Sequence, residues 1–67
     1  MKTKDYQKRV IAEKYELDKK LEKLTLFTND EVVFSNVEEK VQGRLLRQKV
    51  LMELYSEVLA ARIAAFE

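Results

Sequence analysis

Between residues 3 and 27 the apolar side chains fall at Tyr6, Val10, Leu17, Leu21 and Leu24, a 3–4 spacing that Lys14 fills once. At about 100° per residue these positions share an arc of roughly 60°, the stripe of an amphipathic helix. Charged residues cover most of the remaining surface, with Lys14–Asp18 and Glu16–Lys20 at the i,i+4 spacing of helix ion pairs. Ile11, Tyr15 and Leu26 form a thin second line, and singly exposed apolar residues are ordinary.

The pattern breaks at "TNDEVVFSN". Asn29 suits a left-handed cap and Asp30 a turn. Residues 30–34 predict one short helical turn, with Val32, Val33 and Phe34 plugging the end of a core. Ser35-Asn36-Val37-Glu38 has the S-x-x-E form of a capping box, in which each polar side chain satisfies a backbone donor at a helix start.

A second helix is predicted over 36–66. One seam steps 4-3-4-3 through Val41, Leu45, Gln48, Met52, Tyr55, Leu59, Arg62 and Phe66; a second holds Leu51, Leu54, Val58, Ala61 and Ala65. With Leu46 and Val50 the apolar side covers more than roughly 200° of the helix. The polar strip is narrow: Lys49, Glu53, Ser56 and Glu57.

A short connection makes the helices antiparallel neighbours, with paired positions summing to about 65. Leu24 would then meet Val41, Leu21 meet Leu45, Leu17 meet Gln48, Val10 meet Tyr55, and Asp5 approach Arg62. The narrow first stripe covers one seam only. Leu46, Val50, Leu51, Leu54 and Val58 would stay in water, forfeiting up to roughly 10 kcal/mol of burial. A patch of that size marks an interface. The expected architecture is an all-α, two-helix hairpin, one domain over 1–67, dimerising into a four-helix bundle through Leu46, Val50, Leu51, Leu54, Val58, Ala61 and Ala65. Ala60, Ala61, Ala64, Ala65 and Gly43 would allow close helix approach.

Composition supports the helical reading. In 67 residues there is no proline and one glycine, with 46% hydrophobic and 37% charged residues. A chain this short needs a disulfide, a metal or a partner to gain core, and it has neither cysteine nor histidine. No cofactor or metal site is expected, which leaves oligomerisation. No secretory signal and no apolar run long enough for a bilayer is visible, so a cytoplasmic setting is expected.

Chemistry is scarce. There is no histidine base or cysteine nucleophile, and Ser35 and Ser56 lack activating partners, so an enzyme is not expected. The carboxylate pairs Glu38/Glu39 and Glu53/Glu57 are ordinary solvated surface. Net charge is +1, and acidic residues interleave the basic groups Lys2, Lys4, Lys8, Arg9 and Lys19, Lys20, Lys23, which weakens attraction to nucleic acid. A membrane role is disfavoured because the polar strip is of mixed charge. The polar residues within the apolar arc stand out: Arg44, Gln48 and Arg62 project together with Tyr55 between them, and Arg47 borders the second seam. Arg62 could pair with Asp5 or Glu13. Alternatively Arg44, Arg47, Gln48, Tyr55, Arg62 and Tyr15 face a partner protein or an anionic ligand, since arginine and tyrosine commonly anchor such sites.

In "DYQKRVIAEKYELDKKLEKL" and "LLRQKVLMELYSEVLAARIAAFE" the chain resembles small helical-hairpin accessory proteins of phages and prophages, seen in crAss-like and temperate phages. The shared pattern is a Tyr-Gln-x-Arg-Val start (Tyr6, Gln7, Arg9, Val10), a Glu-Lys-x-Glu-Leu stretch (Glu13, Lys14, Glu16, Leu17), Leu45-Leu46-Arg47-Gln48, and an end built on Met52, Tyr55, Leu59, Arg62 and Ile63. The resemblance implies a phage product made in a bacterial cytoplasm, binding a host protein or complex and inhibiting a host defence system by steric occlusion, as anti-CRISPR proteins do. It carries over no catalytic or binding residue. The alternatives are a nucleotide or nucleic-acid binder using Arg44, Arg47 and Arg62, and a virion assembly or structural component.

Overall fold

The computed structural model describes residues 3–67; Lys2, counted in the basic start, lies outside the described residues. Three helices follow in order: α1 (Asp5–Asn29), α2 (Glu31–Ser35) and α3 (Glu39–Ala64). Among the described residues there is no strand. α1 and α3 run alongside each other as a hairpin, and the molecule is a rod of 50 × 14 × 14 Å.

α1 starts where the Gln7 side chain accepts a hydrogen bond from the Lys4 backbone N–H at 2.9 Å. It stays helical through Asn29, which takes no left-handed cap; no described non-glycine residue has a positive φ. Asp30 instead ends α1 in an extended conformation, and its carboxylate accepts the Val33 N–H at 3.1 Å. One residue thus stops the first helix and caps the next.

The capping box expected at Ser35–Glu38 does not form. Ser35 lies inside α2 and its hydroxyl donates to the Val32 carbonyl at 3.0 Å. α3 begins three residues later than expected, after Glu38, whose side chain makes no cap bond. Gln42 does the work at this corner: its Nε2 donates to the carbonyls of Phe34 (2.8 Å) and Val37 (2.9 Å). Of the three residues expected to plug the core, only Phe34 is half-buried, packing edge-on against Phe27 with ring centroids 6.0 Å apart; Val32 and Val33 are exposed.

Because α2 lengthens the connection, the register differs from the expected one. Tyr55 bonds Glu13, Ser56 bonds Asp18, Tyr6 packs on Phe66 and Gln7 reaches Glu67, so paired numbers sum to between 68 and 74. That shift of about one to two and a half helical turns moves the contact line of α3 onto Leu45, Met52, Ser56, Leu59 and Ile63, and leaves Gln48, Tyr55 and Arg62 exposed on its flank. The anticipated Asp5–Arg62 approach is replaced by the aromatic contact of Tyr6 and Phe66, 5.8 Å apart and nearly perpendicular. Gly43 does not mediate close approach within the chain, since a Cβ built on it meets nothing within 4 Å. Glu16 pairs with Lys19 (3.7 Å) rather than Lys20, and Lys14 pairs with Asp18 at 2.6 Å as the spacing implied.

The core is thin. Val10 and Leu59 are the buried apolar residues, joined by the buried Gln7. Two helices share a single contact line, so most apolar side chains are covered from one side only. The accessible surface is 5546 Å², against about 4,400 Å² for a compact protein of this mass. The radius of gyration is 15.3 Å, against about 11 Å for a compact chain of this length.

Candidate functional site

α3 carries a groove of about 440 Å³ lined by Arg44, Arg47, Gln48, Leu51, Met52 and Tyr55. These positions follow i, i+3, i+4, i+7, i+8 and i+11, so a single helical face builds the wall without help from a loop. Leu51, Met52 and the aliphatic stems of the arginines make it largely apolar. Gln48 and Met52 lie together, with Nε2 and Sδ 3.8 Å apart.

The cations at this groove carry no partner charge. Among the described residues the ion pairs are Lys14–Asp18, Lys19–Glu16 and Lys49–Glu53, all within one helix and none with an arginine. Arg44 and Arg47 therefore present their guanidinium forks to water. A fork of this kind suits bidentate contact with phosphate or carboxylate.

Tyr55 closes one end. Its hydroxyl donates to the Glu13 carboxylate of α1, which holds the phenol above its ordinary pKa, because ionisation would break that bond beside a negative charge. The bond ties the hydroxyl to α1 while the residue stays 42% exposed.

A second polar contact pins the two helices. Asp18 accepts from Lys14 and, at 2.6 Å, from the Ser56 hydroxyl. These bonds, Lys14 foremost, keep its carboxyl below the ordinary range. Ser56, assigned from the sequence to the solvent strip, is half-buried against α1. Periodicity of apolar residues could not reveal it, because both partners are polar.

The structure brings together four of the six candidate binding residues: Arg44, Arg47, Gln48 and Tyr55. Arg62 lies on the same flank of α3 but eighteen positions from Arg44, about 27 Å along the axis. Tyr15 sits on α1 outside the groove, exposed, with the Lys19 ammonium 5.1 Å from its ring centre. Beside the groove, Leu46, Val50, Leu51, Leu54 and Val58 are each about half exposed, and Ala61 and Ala65 are exposed. No described helix is long and apolar enough to cross a membrane, and no group of three or more metal-ligating side chains gathers among the described residues.

Compared with family models, residues 4–65 match Sequestin, and the chain belongs to that family. Neither the curated proteins nor the solved structures contain a significant match.

Proposed function

We propose that this member of the Sequestin family is a non-enzymatic binding protein that sequesters an anionic small molecule of the nucleotide class. The observation that carries this reading is the groove itself: two unpaired guanidinium groups beside an apolar wall and an anchored tyrosine ring. Guanidinium forks hold phosphate oxygens, and the ring and the Leu51/Met52 wall give a flat base something to lie on. The groove is open along one face of α3, so a ligand would lie against the helix rather than be enclosed. The family's name points to holding rather than converting. No cofactor enters the proposal. The working unit is a homodimer in which the exposed α3 stripe is covered by a second copy, giving a four-helix bundle.

The phage resemblance supplies a setting, in a bacterial cytoplasm. There, sequestration would weaken a host defence system by withdrawing a ligand it needs. A second reading is favoured by the exposed apolar stripe: the same helix occludes a host protein or complex directly, as an anti-CRISPR-like inhibitor. A virion assembly role has no comparable feature in its support.

Equilibrium dialysis against mono-, di- and cyclic nucleotides tests the proposal. Binding is expected, with the ligand recovered chemically unchanged, and R44A/R47A should weaken it at least tenfold, since hydrogen bonds to charged groups are worth about 1.5–3 kcal/mol each. Absence of uptake across the panel, together with stoichiometric capture of one host protein through the stripe, would replace sequestration by protein occlusion.

A further inference from the structure

Arg62 poses the question. It shares a flank of α3 with Arg44 and Tyr55, at i+18 and i+7 spacings that return to the same side, yet it lies two turns past Tyr55 and about 27 Å from Arg44. We propose that two copies pair through α3 in antiparallel fashion, so that Arg62 of the partner copy completes the cationic groove begun by Arg44 and Arg47. This rests on the sequestration reading for its ligand, but its geometry stands separately.

The apolar area fits a second copy. Leu46, Val50, Leu54 and Val58 are between 46% and 54% exposed, which leaves on the order of 350 Å² of contiguous apolar surface per chain, within the range at which patches mark interfaces, while Leu51 and Tyr55 stay at the mouth of the groove. With the arginine stems and alanines at the margin, two copies would bury on the order of 1,000 Å², the threshold for a specific interface. The excess of surface and length over a compact chain places the missing cover on this rod, whose α1 side is already occupied.

Charge and shape select the direction. In a parallel pair Arg47 would face Arg47 at the centre of the stripe, a like-charge contact. In an antiparallel pair centred near Leu54, Val50 meets Val58, and the aliphatic stem of Arg47 crosses the small Ala61 while its guanidinium reaches out to the Arg44 flank. Symmetry then decides the flank. A two-fold axis perpendicular to both helices keeps the Arg44–Tyr55–Arg62 flanks of the two copies on one side; a two-fold axis along the helices puts them on opposite sides. In the antiparallel pair Arg62 of the partner copy falls within one helical turn, about 5 Å, of the level of both Arg44 and Arg47. Each dimer then carries two equivalent sites of three guanidiniums, with both Tyr55 rings toward the centre. Ala61 and Ala65, small residues on the face between the two helices, leave each site room.

The chain has no cysteine, so single substitutions report cleanly. Arg47→Cys mixed with Ala61→Cys is expected to cross-link between the two variants and neither with itself. Self-linked Arg47→Cys would mean parallel pairing and overturn the proposal, as would a monomer at micromolar concentration by light scattering. The ligand arm uses trinitrophenyl-ATP as probe. R62A and R44A/R47A should each bind at least tenfold more weakly than wild type. Co-refolded in equal amounts, they should recover about a quarter of the wild-type sites, because half the dimers are mixed and each mixed dimer holds one intact site. Recovery of nothing beyond the parents would show that Arg62 does not act across the dimer. Cross-linking at 47–61 without probe uptake by wild type would support the geometry and refute the nucleotide reading.

Discussion

Gly43 is the one glycine, and it sits in the second turn of α3 with open space where its Cβ would be. Gly43→Ala therefore adds a methyl group that touches nothing within the chain. Glycine in a helix interior costs about 0.8–1.0 kcal/mol relative to alanine, chiefly because the unfolded glycine has more freedom to lose. The backbone at Gly43 has a negative φ, so alanine adopts it without strain. The variant should gain about 1 kcal/mol, a rise in Tm of roughly 4–8 °C for a domain of this size. Urea unfolding followed by circular dichroism, at several protein concentrations, measures it; the midpoint should rise with the slope unchanged. A loss of stability that grows on dilution would refute the reasoning, because it would mean that a second chain packs against Gly43 too closely for a methyl group.

Other outcomes follow from the same contacts. Leu59→Ala removes the most buried side chain and should cost about 2–5 kcal/mol, enough to unfold much of the protein; retention of the full thermal transition would show that the hairpin is not held by this contact. Asp30→Ala removes the cap of α2 and should cost about 1 kcal/mol, with Asp30→Asn retaining most of it, as read by chemical denaturation. The lowered carboxyl of Asp18 contributes stability present above the ordinary carboxylate range and lost as pH falls through its folded pKa; Asp18→Asn should flatten that acid limb of a stability–pH curve. The raised phenol of Tyr55 has the opposite sign: its contribution is complete below the ordinary tyrosine range and disappears as pH rises through the folded pKa. In an ultraviolet titration, Tyr55→Phe should remove a phenol that ionises above the ordinary tyrosine range.

The helices were legible because α1 and α3 repeat apolar residues at the helical period and contain no proline and one glycine. Their number and the width of the α3 stripe follow from spacing, and the short helix near 31–35 from the turn residues before it, whereas the start of α3 at Glu39 does not. Four groove residues were also legible, since i, i+3, i+4 and i+11 fix which side chains share a face of any helix. What the sequence could not determine was the phase of α1 against α3. The connection folds partly into α2, Asp30 caps there, and Gln42 clasps the corner from inside α3. These contacts depend on where the chain reverses, and here that point slides the pairings by about one to two and a half turns. Only the tertiary structure therefore decided that Ser56 turns inward to Asp18, that Tyr55 bonds Glu13 rather than packing on Val10, and that Arg44 and Arg47 face water. Local periodicity sets faces, because it is a property of one helix; register is set by contacts between helices, which no single helix encodes.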